Sequence, residues 1–501
     1  MKVTTKRAAT LLSALALTLL TGTASATNGY FTHGVGTESK GMAGSGVGSD
    51  GVSGPIMGAS NPALSVFAND SWEIGLGVFS PRRSYETSQS LANGEVIDGV
   101  ASFTLGQGEF PDQASFNSRA RFDSSSEWFP IPYVAKNFRL GNDMVINTSF
   151  YGRGGMNTDW DNSDMTARSQ ACDPMGMAPF MGPGTYCAGD AGVDLSQAFL
   201  ALNLAGKAGD SFAWGIGPVF AFQMFEATGV ASFTPFTKTF NTAFAGYFAS
   251  CLQGGGDQQT CQLQAQGQAA QDVTSLSNNS SDTSMGWGFA GGVWWAMGDS
   301  FSAGLAYQSK MSMSEFDDYS DLFAEAGGFD IPASTKIGFS FKGTNAVRVN
   351  FDIEHTEFGD VASIGNPMVN LLACPTAGLG GTDVESCLGG SNGGGFGWDD
   401  MTTYKLGVEW THNDARVWRF GYSYGDQPIS GDDVLFNVLA PGVMEQHFTL
   451  GMSQRTSGGG AWNFSLMYAP TNTVKGLSLF DPTQEIEIKM SQFEFEVSYL
   501  F

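Results

Sequence analysis

The chain has 501 residues, with 24 Lys and Arg against 49 Asp and Glu, and carries a formal net charge of −25. An excess of negative charge repels the phosphate backbone, so nucleic-acid binding is excluded as a function. Charged residues make up only 15% of the chain, whereas a soluble globular protein carries about 25%. Gly and Phe are frequent, at 67 and 39 residues. This composition favours a protein wall with one face in lipid.

Residues 1–26 are predicted to be a secretory signal peptide. Basic residues precede an apolar run at 8–20, and small residues follow as far as Ala26, where cleavage is expected. This order of charged, apolar and small residues is typical of such a peptide. The run is too short for a membrane helix, which needs about 20 apolar residues. Glycine or polar residues interrupt every later stretch, so we expect no transmembrane helix in the mature chain.

Residues 27–71 lack the alternation of a strand and are rich in glycine, starting NGYFTHGVGTESKGMAGSGV at Asn28. Glycine lets a chain fold tightly in a confined space. Because the rest of the chain predicts a wide barrel, whose lumen would leak unless something occupied it, we expect this segment to be an N-terminal hatch inside the lumen.

Residues 72–501 predict an all-β fold, a 14-stranded antiparallel transmembrane β-barrel. Successive side chains of a strand leave opposite faces of the pleat, so alternation with a period of two indicates a strand. An even number of strands places both ends of a closed barrel on one side. The predicted strands are 72–79, 127–138, 144–151, 193–205, 212–226, 285–296, 300–313, 332–342, 346–357, 401–412, 415–424, 446–454, 461–469 and 486–501.

The connections between these strands support the same prediction independently. Tight turns follow the even-numbered strands, and long segments follow the odd-numbered strands, the longest with about 57 residues at 227–283. Short periplasmic turns alternating with long extracellular loops are typical of outer-membrane barrels. The fold of a soluble β-sandwich does not require short and long connections to alternate in this way.

The pleat also predicts which side chains face lipid. Aromatic and aliphatic residues share one face of three strands: Trp462, Phe464, Leu466 and Tyr468; Trp418, Phe420, Tyr422 and Tyr424; Phe339 and Phe341. Aromatics near strand ends suit the interfacial girdles of a membrane barrel. The last strand, FEFEVSYLF at 493–501, resembles the terminal recognition signal of bacterial outer-membrane barrels.

The six cysteines fall in predicted extracellular loops, one close pair to a loop. Six cysteines allow many pairings, but this spacing favours three local disulfides, Cys172–Cys187, Cys251–Cys261 and Cys374–Cys387. Such bridges form in exported proteins and would stiffen the loops. The sequence has no metal-site spacing such as C-x-x-C and no metal site is expected, with loose Ca²⁺ binding by acidic loops left open as an alternative.

The loop after the fifth strand carries an aromatic stripe. Its members recur at spacings of three and four, which predicts one apolar face of a helix. Two interpretations stay open, a capture groove for acyl chains that includes Phe236, Phe240 and Phe244, or simple packing on the adjacent disulfide-bonded loop. The stripe comprises Phe233, Phe236, Phe240, Phe244, Tyr247 and Phe248.

The residues that alternate with the lipid-facing positions are predicted to point into the lumen, and several of them are charged. They are Arg153, Lys310, Lys336, Arg348, Lys405, Arg419 and His447, with Asp352, Glu354 and Glu409. A fatty carboxylate needs a cationic partner when it leaves water, so Arg153, Lys310 and Lys336 are candidate ligands. The alternative is that these charges only neutralise one another across a wet lumen.

Several stretches together resemble the FadL/TodX family of outer-membrane long-chain fatty acid and hydrocarbon transporters. They are the glycine-rich start, the Asn61-Pro62-Ala63 triplet, YGRGGMNTDW at 151–160, DTSMGWGFAGGVWW from Asp282, and the aromatic C terminus. The resemblance spans nearly the whole mature chain. It implies a 14-stranded barrel, a hatch that carries the Asn-Pro-Ala motif, and passive uptake.

The resemblance also implies a route. A lipophile is caught by outer loops, enters a lumenal pocket against the hatch, and leaves sideways near a kinked third strand. The predicted third strand ends in YGRGG at 151–155, and glycines in a strand suit a bulge or a break in pairing. In the hatch, the candidates for gating are Phe31, Asn61, Pro62 and Ala63, because X-Pro geometry gives a stiff hinge.

These observations predict a passive uptake channel of a Gram-negative outer membrane that needs no cofactor. The expected partners are hydrophobic small molecules, first of all long-chain fatty acids, with alkanes or aromatic hydrocarbons as the alternative. The resemblance implies a monomer in outer-membrane lipid. Functions of another class are a barrel enzyme and an adhesin. The four histidines form no H-E-x-x-H motif, which argues against one class of enzyme.

Overall fold

The computed structural model describes residues 28–51, 53–68, 70–88, 96–97, 100–101, 119–161, 184–344, 346–375 and 380–501. Fourteen antiparallel strands close into one barrel, in which each strand pairs with the next in the chain and the last pairs with the first. The predicted fold class is therefore confirmed. The strands are β1 Trp72–Ser88, β2 Phe129–Arg139, β3 Met144–Trp160, β4 Ala191–Lys207, β5 Phe212–Thr228, β6 Asp282–Ala296, β7 Phe301–Gln308, β8 Ser334–Lys342, β9 Val347–Thr356, β10 Met401–Asn413, β11 Arg416–Gly425, β12 Gln446–Arg455, β13 Ala461–Ser478 and β14 Asp481–Leu500.

Closure follows from the medium that surrounds the wall. Lipid offers no partner for backbone N–H and C=O groups, so an open sheet edge would be costly. The pairing of β1 with β14 is continuous from Glu73–Leu500 to Thr87–Ile486. Side chains predicted to face lipid, such as Trp462 and Leu466, are exposed on the outer face, and Asn463 between them is buried. The predicted assignment of the two faces is confirmed.

Several strands are longer than predicted. β1 and β3 continue beyond their predicted ends at 79 and 151, to Ser88 and Trp160. The long loop predicted at 470–485 is wrong, because β13 and β14 form a hairpin that turns between Ser478 and Asp481. At about 3.3 Å per residue, a strand of 18 residues is far longer than the hydrocarbon core, which is about 30 Å thick. The extra residues lie outside the membrane, where the apolar alternation used for the prediction is lost.

The seventh strand is interrupted, and the connection between β1 and β2 contains three short strands. β7 ends at Gln308, and the two-residue strand Ser312–Met313 pairs with β6, so the predicted end of this strand at 313 is wrong. Arg119–Asp123 pairs with the outer part of β1. Val96–Ile97 pairs with Val100–Ala101.

The connection after β5 forms a helical hairpin of α1 Lys238–Gln253 and α2 Gln258–Asp272. Each helix begins with a capping side chain: the Thr237 hydroxyl accepts the Phe240 N–H at 3.1 Å, and Asp257 accepts the Thr260 N–H at 3.0 Å. Among the described residues, no helix is both long and apolar enough to cross a membrane. The remaining helices are short: Thr37–Lys40, Pro55–Ala59, Pro62–Val66, Ala231–Phe236, Asp317–Tyr319, Ala324–Gly327, Phe358–Asp360, Ala362–Gly365, Met368–Ala373, Val384–Ser386, Gly431–Asp433 and Val434–Asn437.

Two of the three predicted disulfides are confirmed. Cys251–Cys261 joins α1 to α2, and Cys374–Cys387 closes a loop in the connection after β9. Cys187 is disulfide-bonded. Cys172, its predicted partner, lies outside the described residues, as does the predicted signal peptide at 1–26.

Residues 28–71, called the N-terminal segment below, lie against inward-facing side chains on different sides of the barrel. The Lys40 Nζ lies 2.6 Å from a carboxylate oxygen of Glu496 on β14. The N–H groups of Gly46 and Val47 donate to Asp352 on β9 at 2.7 and 2.9 Å. These contacts hold the segment across the interior.

Candidate functional site

An apolar pocket lies under the connections that follow β5, β7, β9 and β11. Each connection contributes a phenylalanine, namely Phe233, Phe323, Phe396 and Phe436, and Phe225 of β5 completes the aromatic lining. The pocket has a volume of about 30 Å³, whereas a ligand pocket usually has about 300 Å³ or more. A hydrophobic ligand therefore fits only when these connections move apart.

Phe233, the first residue of the aromatic stripe, lines this pocket, whereas later members of the stripe belong to the helical hairpin. Phe236 is buried beside Phe480, with the ring centroids 5.1 Å apart. Phe240 is 3% exposed and belongs to the small core that joins α1 to α2. Phe244 is half-buried in the same core, and its ring stacks on Phe240 at 6.1 Å. Phe240 thus packs within the hairpin, and a role of Phe236, Phe240 and Phe244 in capture stays a prediction.

Two connections are joined to each other beside the pocket. The Lys238 N–H donates to the Leu388 carbonyl at 2.8 Å, and the Leu388 N–H donates to the Phe236 carbonyl at 2.9 Å. The Lys238 ammonium lies 2.6 Å from Glu385. The hydrogen bond from Lys238 lowers the pKa of Glu385 to about 2. Because this pKa is lowered, Glu385 keeps its negative charge, and with it the ion pair, until the pH falls towards that value.

The third strand bulges at Arg153, and the wall is interrupted beside it. The pairing of β3 with β4 shifts register between Gly152 and Gly154. The pairing of β2 with β3 ends at Tyr133–Tyr151, although β2 begins at Phe129. Residues 129–132 of β2 and 152–158 of β3 therefore lie opposite each other without pairing through their backbones. This unpaired interval is called the wall break below. The predicted break in the pairing of the third strand is present.

The start of the N-terminal segment is bound to the bulge. The Thr32 N–H donates to the Arg153 carbonyl at 2.7 Å. The guanidinium of Arg153 lies over the Phe31 ring, 4.4 Å from its centroid, as in a cation–π contact. Gly154 lets Phe31 approach, because a Cβ there would lie 3.3 Å from the Cδ1 of Phe31. Phe31 cannot move far without disturbing the bulge.

The Asn61-Pro62-Ala63 triplet begins the short helix Pro62–Val66. The Asn61 side chain accepts the Ala63 N–H at 3.0 Å. It also donates to the carbonyls of Val47 and Val293, at 3.0 and 3.2 Å. One side chain therefore caps the helix and joins two parts of the N-terminal segment to β6.

Two glycines of the wall let the triplet lie against the strands. A Cβ on Gly292 of β6 would lie 2.0 Å from the Asn61 side-chain oxygen, and one on Gly215 of β5 would lie 2.4 Å from the Pro62 carbonyl carbon. Only a residue without a side chain fits at such positions. The triplet is a fixed contact between the segment and the wall.

Three cations of the lumen share one carboxylate. Glu354 lies 3.4 Å from Arg153, 3.0 Å from Lys336 and 2.6 Å from Lys405. Asp352 adds a second negative charge nearby, but its Oδ2 already accepts two N–H groups of the N-terminal segment. Arg153 and Lys336 thus lie in the lumen as predicted. They are partly neutralised, and a surplus of positive charge remains around Glu354.

Lys310 is exposed and lies outside the strand that was used to place it in the lumen, so its role as a ligand stays a prediction. β7 ends at Gln308 and pairing resumes only at Ser312, so the parity used to orient residue 310 is lost. The Lys310 side chain is 41% exposed, and its Nζ lies 3.2 Å from Asp330.

The other predicted lumenal charges are ion-paired, several of them with the N-terminal segment. Arg419 lies 2.9 Å from Glu409 and 3.3 Å from Glu38, and Arg348 lies 2.5 Å from Asp50. In the part of the chain that the structure describes, no group of His, Cys, Asp and Glu side chains is arranged to hold a metal ion.

Two lumenal glutamates were not predicted from the sequence. Glu494 and Glu496 of β14 both contact the Lys40 ammonium. His33 and His447 stack beside them, with the ring centroids 5.9 Å apart. The alternation Phe-Glu-Phe-Glu was used only for its outward aromatics, and the same pattern placed both glutamates inside.

Arg83 of β1 was also missed, because the predicted strand ends at 79. It is 4% exposed, and a small cavity separates it from Met156 and Asn157 of β3. The sequence contains a signal for this residue, because Phe79, Arg83 and Tyr85 continue the alternation in which every second side chain of the strand points into the barrel.

Comparison with known proteins gives a family and a fold. A family model described as outer membrane protein transport protein (OMPP1/FadL/TodX) matches residues 17–453. The solved structure of the P. putida toluene transporter TodX is 15% identical, with a TM-score of 0.55 over 93% of this chain and 98% of that chain. A Pseudomonas aeruginosa FadL homologue is 14% identical, with a TM-score of 0.55 over 94% of this chain and 99% of that chain. No curated protein matches the sequence.

The closed wall and the occupied lumen define an outer-membrane β-barrel. The chain belongs to the OMPP1/FadL/TodX family of outer membrane transport proteins, because the family model matches most of its length. The protein therefore lies in the outer membrane of a Gram-negative bacterium, transports hydrophobic compounds and is not an enzyme. The resemblance seen in the sequence motifs is confirmed. At 14–15% identity, the likeness to solved structures shows the fold alone.

Proposed function

We propose that the protein admits long-chain fatty acids by passive diffusion. The ligand is caught among the outer connections, enters the lumen beside the N-terminal segment, which acts as a hatch, and leaves sideways into the membrane. The observation that supports this proposal most is the wall break, the unpaired interval between β2 and β3.

The contents of the lumen favour a sideways exit over an axial one. Below the wall break, the interior holds buried ion pairs such as Lys40 with Glu496 and Arg419 with Glu38. An acyl chain that passed along the axis would have to separate these charges, and leaving a buried charge without its partner is costly. The lipid beside the break is apolar, so the acyl chain moves there without that cost.

The N-terminal segment supplies the gate in this proposal. Phe31 lies against the bulge through Arg153, so a small shift of the segment changes the width of the wall break. Asn61, Pro62 and Ala63 form the fixed end of the segment, held to β5 and β6 by hydrogen bonds and close glycine contacts. Ligand entry would displace Phe31 while the triplet stays in place.

A second candidate function is the uptake of alkanes or aromatic hydrocarbons by the same route. The lining of the outer pocket favours it, since its side chains are apolar except for Ser363. TodX, which shares the fold, is a toluene transporter. The surplus of positive charge around Glu354 favours a carboxylate instead, because a fatty acid carries an anion that needs a cationic partner in a dry site.

Passive uptake by this route would require little besides the barrel itself. Diffusion down a concentration gradient needs no cofactor and no ATP. One barrel holds the pocket, the hatch and the wall break, so a monomer in outer-membrane lipid suffices. The signal peptide at 1–26 would direct export of the chain.

Uptake by whole cells tests the function. Bacteria that lack their own hydrophobe channel would express the protein or an empty vector, and the initial uptake of labelled oleate, hexadecane and toluene would be compared. We expect faster uptake of oleate with the protein than without it. Faster uptake of hexadecane or toluene alone would favour the second candidate. Equal rates with and without the protein for all three compounds would contradict both.

A further inference from the structure

Arg83 differs from the other buried cations in having no acidic partner among the described residues. In the described parts of the chain, the Lys and Arg side chains with less than a tenth of their surface exposed are Lys40, Arg83, Arg153, Lys405 and Arg419. Four of them lie 3.4 Å or less from a carboxylate oxygen. Arg83 forms no ion pair with any described residue.

The guanidinium of Arg83 is only half satisfied by hydrogen bonds. Its Nη1 donates to the Ser126 carbonyl at 3.1 Å, whereas Nη2 is buried without a hydrogen-bond partner. The ring of Phe129 lies beside it, 5.5 Å from centroid to guanidinium carbon. Asp194 acts on Arg83 electrostatically but does not form an ion pair with it in the described structure. A buried charge with an unused donor is unfavourable unless an acceptor reaches it.

A small cavity adjoins Arg83. It has a volume of about 10 Å³, and its lining includes Met156 and Asn157 of β3 and Trp398 and Pro441 from two outer connections. That volume is about the least that admits one water-sized group. Met156 and Asn157 follow the bulge, and Phe129 is the first residue of β2, so the cavity borders the wall break.

We propose that Arg83 binds the carboxylate of an amphipathic ligand at the wall break. One carboxylate oxygen accepts the hydrogen bond that Nη2 leaves unused, and the acyl chain lies against apolar neighbours such as Met156 and Phe129. A neutral hydrocarbon offers no such acceptor. Arg83 therefore favours a ligand with a carboxylate over a neutral ligand with the same chain. The inference rests on the proposed function and adds the residue that recognises the headgroup.

The paired cations of the lumen are less suited to this task. Arg153 and Lys405 already bind Glu354, so a ligand carboxylate there would compete with a fixed carboxylate. At Arg83 the ligand would meet an unoccupied donor, and a hydrogen bond between charged groups is stronger than one between neutral groups. The position beside the wall break lets the headgroup bind while the chain faces the exit.

Binding of oleate and of methyl oleate tests the inference, because the two ligands share a chain and differ in charge. Equilibrium dialysis would give the Kd of each ligand for the wild type and for Arg83→Gln, Arg83→Lys and Arg82→Gln in detergent. Arg82 is the matched control, since it is the neighbouring cation on the opposite face of β1 and is ion-paired with Glu127. Heat-dependent migration on a gel confirms that each barrel has folded.

We expect Arg83→Gln to weaken oleate binding by about tenfold or more and to leave methyl oleate unchanged. Arg83→Lys should keep part of the preference for oleate, and Arg82→Gln should match the wild type. Unchanged oleate binding by Arg83→Gln, or an equal loss for both ligands, would overturn the role of Arg83 while leaving the proposed function standing. Failure of the wild type to bind either ligand would overturn both.

A structure of the wild-type protein with oleate keeps the inference testable if Arg83→Gln does not fold. We expect a carboxylate oxygen within about 3 Å of the Arg83 Nη2. A carboxylate bound at the cations around Glu354 would overturn the inference.

Discussion

Gly292 of β6 faces Asn61, and an added Cβ there would lie 2.0 Å from the Asn61 side-chain oxygen. At the neighbouring Gly291, the nearest heavy atom would lie 4.0 Å away. We therefore predict that Gly292→Ala displaces Asn61 and lowers the free energy of unfolding by about 1–3 kcal/mol, the usual cost of overpacking. Gly291→Ala should behave like the wild type.

Urea unfolding in lipid vesicles would measure this difference between the two variants. Ion conductance across a planar bilayer gives a second readout, because a displaced N-terminal segment should let ions leak through the lumen. If Gly292→Ala and Gly291→Ala unfold at the same urea concentration and conduct equally little, the contact between Asn61 and the wall does not hold the segment in place.

The placement of single residues from sequence depended on where each strand was taken to end. Lys336, Lys405 and Arg419 lie within well-predicted strands, and their inward orientation was predicted correctly. Lys310 lies beyond the last residue of β7, so parity could not orient it. Arg83 lies within β1 but past its predicted end. Alternation predicts the face of the wall on which a side chain lies only where the residue belongs to a paired strand.

At the scale of elements, the helical hairpin of α1 and α2 offers a test that leaves the barrel untouched. Phe240 of α1 is buried against Ala269 and Ala270 of α2. Phe240→Ala should destabilise the hairpin by about 3 kcal/mol or more, as large-to-small changes in a core usually do. Hydrogen exchange should become faster within 238–272 and stay unchanged in the barrel strands.

Phe248→Ala is the matched control for this prediction. Phe248 is the last aromatic of the stripe and is half-buried, so its removal should change exchange in the hairpin much less. Equal effects of the two substitutions would show that the small core around Phe240 does not hold α1 to α2. Faster exchange in the barrel as well would show that the hairpin and the wall are not independent units.

The sequence predicted the membrane part of the elements better than the outer part. The turns after even-numbered strands were placed correctly, because Gly, Asn and Asp in tight turns leave a local signal. The outer halves of β1, β3 and β13 and the first five residues of β14 were missed. Protein or water covers both faces there, so polar and apolar residues no longer alternate. The apolar pocket could not be predicted either, since it is built by four connections far apart in sequence.

At the scale of the whole molecule, the pairing of β2 with β3 is interrupted at the wall break, and the interior of the barrel is occupied. The N-terminal segment is joined to the wall by buried ion pairs and hydrogen bonds on several strands. A hydrophobic ligand that enters from outside therefore meets a charged interior below it and lipid beside it. Whether the ligand leaves along the barrel axis or sideways into lipid therefore determines the transport mechanism.

The wall break is narrow in this structure, so a ligand passes only if the break widens. A Cβ on Gly152 of β3 would lie 3.1 Å from the Cγ2 of Ile131 on β2. A disulfide between Ile131→Cys and Gly152→Cys would hold the two strands together at this point. Phe138 and Ile146 are paired in the closed part of the same two strands, so Phe138→Cys with Ile146→Cys gives a matched control disulfide.

The central claim is that the ligand leaves through the wall break. It is tested most directly by measuring the uptake of labelled oleate by cells that express either double variant, before and after mild reduction. With the disulfide between residues 131 and 152 formed, we predict uptake at the level of cells without the protein, and recovery on reduction. The control disulfide between residues 138 and 146 should leave uptake at the wild-type rate in both states. Uptake at the wild-type rate through the oxidised 131–152 variant would contradict exit through the wall break.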